Sequence, residues 1–134
     1  MKANFLNRIL LSGLFFCLMA TTCKKDEKRG GHIYVKNNSG NVIYYVESFS
    51  FPDTTLVQVN KPVPGDKVNP GQQGTIIAGK GVFSLNKTFQ IYVFDASVIE
   101  TESWDTVIAN YKVLKRYIYT EQDLEKQNWT ITYP

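Results

Sequence analysis

Cysteine and histidine are nearly absent from this 134-residue chain, which holds Cys17, Cys23 and a single histidine, His32. Both cysteines lie ahead of residue 24, so no disulfide can close within the remaining chain and its stability has to come from packing. Beyond Cys23 no Cys–His nucleophile pair can form, and a Ser–His triad would have to rest on His32 without a G-x-S-x-G elbow. No catalytic residue is assigned on this basis, no cofactor is implied, and the chain is read as something other than an enzyme. Basic charge is also scarce. Of 15 basic and 12 acidic side chains, Lys2 and Arg8 fall within residues 1–22, which hold no acid, so 13 and 12 remain beyond them and +3 becomes +1. After Arg29 the densest basic stretch is Lys112, Lys115 and Arg116, too little to displace counterions from a phosphate backbone, so nucleic acid is excluded as a partner.

Long hydrophobic runs are missing too, with one short exception. Ile9 to Ala20 is apolar apart from a Ser and a Gly, and it follows Lys2 and Arg8 in the manner of a charged region ahead of a secretory apolar core. As a helix of about 12 residues it would reach only about 18 Å against a hydrocarbon core of about 30 Å. It is too short for a comfortable permanent span. Ala20-Thr21-Thr22-Cys23 then places small residues before a thiol, and Lys24-Lys25-Asp26-Glu27-Lys28-Arg29 is abruptly polar. Small side chains let an extended backbone enter a peptidase groove. Cys17 follows Phe15 and Phe16, whose rings make a poor cleavage point.

The segment ending at Cys23 resembles a bacterial lipobox, in the looser form of Bacteroidetes lipoproteins. The resemblance implies cleavage before Cys23, lipidation of its sulfur and retention at the outer membrane. Two or three acyl chains at about 0.8 kcal/mol per buried methylene would make desorption negligible. Lys24, Lys25, Asp26 and Glu27 resemble the Lys-plus-acid surface-export signal of the same lipoproteins, and they read equally as a solvated tether of mixed charge. The expected division is a leader over 1–22, a lipidated tether over 23–31 and a single domain over 32–134.

In that domain His32 to Asn37 alternates, with Ile33 and Val35 on one face, and predicts a strand. Asn38-Ser39-Gly40-Asn41 suits a turn and Val42 to Phe51 resumes β character, so the pair is expected to form a hairpin. Thr54 to Val59, Thr75 to Ala78, Val82 to Leu85 and Thr88 to Asp95 read as further strands, and Asn60 to Gly74, with three prolines and three glycines, as the longest loop. Thr88 to Asp95 is apolar on both faces and belongs mid-sheet. Trp104, Val107, Ile108 and Tyr111 switch to the helical period, giving one short amphipathic helix near 103–111 with Ser103 as its N-cap and Asp105 in its first turn. Val113 to Tyr119 is again strand-like, Thr120 with Asp123 suits a capped helical turn reaching Lys126, and Trp129, Ile131 and Tyr133 alternate in a last strand expected to pair inside the sheet. The fold class expected is mostly β, an antiparallel β-sandwich or partly open barrel.

Phe94-Asp95, Trp104-Asp105-Thr106-Val107-Ile108, Leu114-Lys115-Arg116-Tyr117 and the run from Asp123-Leu124-Glu125-Lys126 through Asn128-Trp129-Thr130-Ile131-Thr132-Tyr133-Pro134 resemble a family of short Bacteroidetes surface lipoproteins. The resemblance implies location and architecture and brings no activity.

Three groups of residues invite chemistry. Asp95, Glu100, Glu102 and Asp105 offer carboxylates to a hard cation such as calcium, but the spacing matches no EF-hand loop, and acids are favoured at a helix amino terminus, so no metal ligands are assigned. Tyr34, Tyr44, Tyr45, Phe49, Phe51 and Tyr92 could stack on sugars, although most are expected in the core. Asp53-Thr54-Thr55 and Asp105-Thr106-Val107 resemble O-glycosylation acceptors of Bacteroidetes, placing Thr54 and Thr106 as candidates. The sequence therefore points to a lipid-anchored, non-catalytic interaction module of the cell envelope. Its partner would be an envelope protein or a glycan, with an accessory subunit of a surface fibre or nutrient-uptake complex as the alternative.

Overall fold

The computed structural model describes residues 31–78, 83 and 88–134, and Cys23 with Lys24, Lys25, Asp26 and Glu27 lies outside them. The described chain is a mostly β fold of seven strands in two sheets with three short helices. The strands are β1 (His32–Asn37), β2 (Ile43–Ser48), β3 (Lys67–Val68), β4 (Gln73–Ile77), β5 (Thr88–Asp95), β6 (Lys115–Thr120) and β7 (Thr130–Tyr133). One sheet has the order β4-β1-β7 and the other β3-β2-β5-β6. They face each other as a sandwich and do not close into a barrel.

Alternation places Ile33 and Val35 of β1, Ile43 and Tyr45 of β2, Ile76 of β4, Phe89, Ile91 and Val93 of β5 and Ile131 of β7 in one buried cluster between the sheets. Strand β5 is buried on its other face as well. There Tyr92 and Phe94, with Tyr44 and Val46 of β2, pack against Leu56, Val59, Ala96, Ile99 and Val107. The molecule is thus three layers deep: a three-stranded sheet, a four-stranded sheet, and a cover of helices and loop. This explains why β5 carries apolar residues at successive positions, as a strand with both faces covered must.

The cover contains α1 (Ala96–Thr101) and α2 (Trp104–Ala109), while α3 (Glu121–Lys126) joins β6 to β7. Ser103 caps α2 as expected, accepting from the Thr106 N–H, and Thr120 and Asp123 form a reciprocal capping box on α3. Helix α2 lies within the expected 103–111 and α3 where the capped helical turn is expected, so α1 is the one helix among the described elements that was not anticipated. Asp95 ends β5 and its carboxylate accepts the Ser97 N–H, so α1 starts directly at the strand's end.

Four further expectations change. Strands β1 and β2 are consecutive but are no hairpin: β1 pairs with β4 and β7, β2 with β3 and β5. The Asn38–Asn41 turn carries the chain from one sheet to the other, held by Asn37, whose fully buried amide donates to Asn41 O at 2.7 Å and Val68 O at 3.0 Å. Thr54 to Val59 is a turn, not a strand; its buried residues, Leu56 and Val59, are three apart, joined by a Val59 N–H to Leu56 O bond of 3.0 Å. The Asn60–Gly74 stretch holds a 3-10 turn (Pro64–Asp66), β3 and the start of β4. Finally, β7 pairs parallel to β1, at the sheet's edge, where alternation alone suggested an interior antiparallel strand. Of the expected strand Val82 to Leu85 only Phe83 is described, and its backbone is helical.

Candidate functional site

The register gives the sandwich two distinct ends. One is where β1 begins: His32 pairs with Ile77, the last residue of β4. The other is where β1 stops. There Asn37 joins the Asn38–Asn41 turn to Val68, and Val68 is paired with Ile43, itself paired with Asp95. At this second end, opposite the start of β1, lies an open cleft of about 410 Å³ lined by Asn41, Val42, Lys67, Asp95, Ala96, Ser97 and Glu100.

The cleft is mixed polar and apolar, and its one cation, Lys67, pairs with one of its two carboxylates. Lys67 of β3 reaches Glu100 of α1, Nζ to Oε1 at 2.6 Å, and lies 5.9 Å from the Tyr44 ring centre. The Tyr44 hydroxyl donates to the same Glu100 oxygen at 3.2 Å. Hydrogen bonding from Lys67 and then from Tyr44 holds the Glu100 carboxyl below its ordinary range, and the same contact raises the Lys67 ammonium. Burial, reinforced by Glu100, pushes the Tyr44 hydroxyl up. Asp95 is held low by the Ser97 hydroxyl and N–H that its carboxylate accepts. Such an arrangement can recognise a polar or charged group by exchanging partners with the Lys67–Glu100 pair.

The four carboxylates are separated in use. Asp95 caps α1, Glu100 pairs with Lys67, Glu102 pairs with Lys112 at 2.6 Å, and Asp105 is exposed in the first turn of α2. One Glu102 oxygen is buried without a hydrogen-bond partner. Among the described residues no group of three His, Cys, Asp or Glu side chains stands together to hold a metal ion. The Asn41 and Lys67 contributions have no local sequence signal, since Lys67 and Glu100 are 33 residues apart.

The aromatic residues also divide. Tyr44, Tyr45 and Tyr92 are buried, Tyr34 is half-buried beside His32 at 6.4 Å between ring centres, and Phe49 and Phe51 are exposed. Tyr92 donates to Gln90 Oε1 at 3.2 Å, and the fully buried Gln90 amide donates to Asp53 O at 2.7 Å, tying the loop over the sheet. Thr54 and Thr106 are both exposed, and the Thr106 hydroxyl shares a 2.8 Å hydrogen bond with Ser103. No helix among the described residues is long and apolar enough to cross a membrane. No protein-family model, curated protein or solved structure matches the chain.

Proposed function

We propose that this chain is a lipid-anchored lipoprotein of the outer membrane whose sandwich acts as a non-catalytic interaction module for an envelope protein or glycan. The observation that carries the reading is the layout at the amino terminus. An apolar run too short to remain as a span is followed by Cys23 in a small-residue setting, and nine residues, Cys23 to Gly31, lead into β1. β1 is the central strand of its sheet, so the anchor pulls on the best-supported strand of the three. The Lys67–Glu100 cleft faces away from that attachment, on turns and helix ends borne by a rigid scaffold, where binding residues commonly sit.

The test is a photo-crosslinking residue placed at Asn41 in the native host, with the same residue at Lys36 as control. A defined adduct at 41 and none at 36 supports the reading; equal, diffuse labelling at both contradicts it.

A second reading, as an assembly subunit, is favoured by β6. It ends the four-stranded sheet, no described strand pairs with its outer edge, and Leu114 and Ile118 are exposed there.

A further inference from the structure

Half of the eight exposed large apolar side chains among the described residues, namely Phe49, Phe51, Ile77 and Ile118, stand at the end where the tether joins. Ile77 is the most exposed, at 79 %, and pairs with His32, the first residue of β1. A chain of contacts brings Phe49 to the same end: the Tyr34 N–H donates to Trp129 O at 2.8 Å, the Trp129 ring meets Phe83 at 6.0 Å, Phe83 meets Phe89 at 5.5 Å, and Phe89 stacks on Phe49 at 6.2 Å. Ile118 pairs with Gln90, the neighbour of Phe89, and the Gln90 amide holds Asp53 two residues after Phe51. These side chains leave bulky apolar area facing water at the end nearest the tether, and a surface lying against that end would cover it.

The length of chain leading to that end says what covers it. Nine residues from Cys23 to Gly31 extend at most about 30 Å, so an acylated Cys23 keeps this end, where the tether joins β1, within that distance of the bilayer. Tethering of this kind supplies an effective concentration of the order of millimolar, enough for a contact too weak to recruit a free protein. The charge nearby is balanced. Helix α3 begins at the same end, where β6 stops, and carries Glu121, Asp123 and Glu125 against Lys126, a net −2 that offsets the +2 of Lys24, Lys25, Lys28 and Arg29 over Asp26 and Glu27, so no excess draws this end to anionic lipid and a zwitterionic surface suffices.

We propose that Phe49, Phe51, Ile77 and Ile118 seat the sandwich end-on in the interface of a zwitterionic bilayer, holding the Lys67–Glu100 cleft outward. The proposal rests on the acylation of Cys23 argued above. Its test uses the full mature lipoprotein in phosphatidylethanolamine-rich vesicles, with a nitroxide on Phe51→Cys, on Ile77→Cys or, as the far-end control, on Gly40→Cys, where added atoms meet open space. Intact mass of each sample reports the Cys23 acyl groups, so loss of the anchor and loss of seating are read separately. The expected result is an oxygen-to-nickel-complex collision ratio several-fold higher at 51 and 77 than at 40, unchanged or lowered by added phosphatidylglycerol. Equal, aqueous ratios at all three positions on an acylated chain would overturn the proposal. Protection at 51 that persists in detergent as cross-linked copies of this chain would overturn it too, assigning the surface to self-association.

Discussion

The ring of Tyr45 occupies the space a side chain at residue 74 would need. A Cβ built on Gly74 falls 2.8 Å from the Tyr45 hydroxyl oxygen and overlaps the ring, while that hydroxyl donates to Thr75 O at 3.1 Å. Tyr45 belongs to one sheet and Gly74 to the other, so the glycine sets how closely the sheets approach. Gly74→Ala is expected to destabilise the fold by about 1–3 kcal/mol through overpacking. At roughly 4–8 °C per kcal/mol for a domain of this size, thermal unfolding followed by near-UV circular dichroism would register it. The double variant with Tyr45→Leu should recover part of the loss, because the overlapping ring is gone.

Asn37 is the polar hinge between the sheets, and its amide is fully buried. Asn37→Ala removes the donors to Asn41 O and Val68 O and the acceptor for Ser39. Leaving the buried Val68 carbonyl unpaired should cost about 1–3 kcal/mol, read as a lower denaturant midpoint at unchanged slope.

Strand β7 closes the free edge of β1 and contributes Ile131, which is fully buried. Ile131→Ala should cost about 2–5 kcal/mol. Deleting 130–134 also removes Thr132 O, the acceptor of the Tyr117 hydroxyl, and should abolish the cooperative transition in calorimetry.

The Lys67–Glu100 pair gives a pH signature. Because the folded Glu100 carboxyl lies below its ordinary 4.5, its contribution is present above that value and is lost as pH falls through the folded-state value. Because folded Lys67 lies above its ordinary 10.5, its contribution is present below that value and is lost as pH rises through the folded-state value. Both groups are solvent-exposed, so the effect is small and best followed at the site. In Lys67→Met, the Glu100 carboxyl midpoint observed by NMR should move up toward 4.5; no movement would show that the pair does not persist in solution.

Local signals in the sequence carried far in this fold, and long-range ones did not. Strands β1 and β5 have the bounds that alternation and double-sided apolarity indicate, and Ser103 and the Thr120–Asp123 box start their helices as their side-chain chemistry requires. Helix α1 was hidden because Val98, Ile99 and Thr101 are β-branched and the segment is one turn and a half long; Asp95 followed by Ser97 was the available capping signal. The β1–β2 crossover and the parallel seat of β7 depend on partners distant in sequence, Val68 for Asn37 and Tyr34 for Trp129, which periodicity cannot reveal. The same holds for the cleft. Glu100 stood out as one of several acids, while Lys67 lay in a stretch read as loop, so the pair became visible only once β3 met α1.

We propose that acylated sulfur at Cys23 holds this sandwich to the outer membrane. Intact mass spectrometry of the chain purified from membranes of its native host tests it most directly. The expected product begins at Cys23 and exceeds the mass of residues 23–134 by a diacylglyceryl group, with or without a third acyl chain, and a Cys23→Ala chain is not so processed. A soluble product with an unmodified thiol at Cys23, or one that retains residues 1–22 in the membrane, would contradict it.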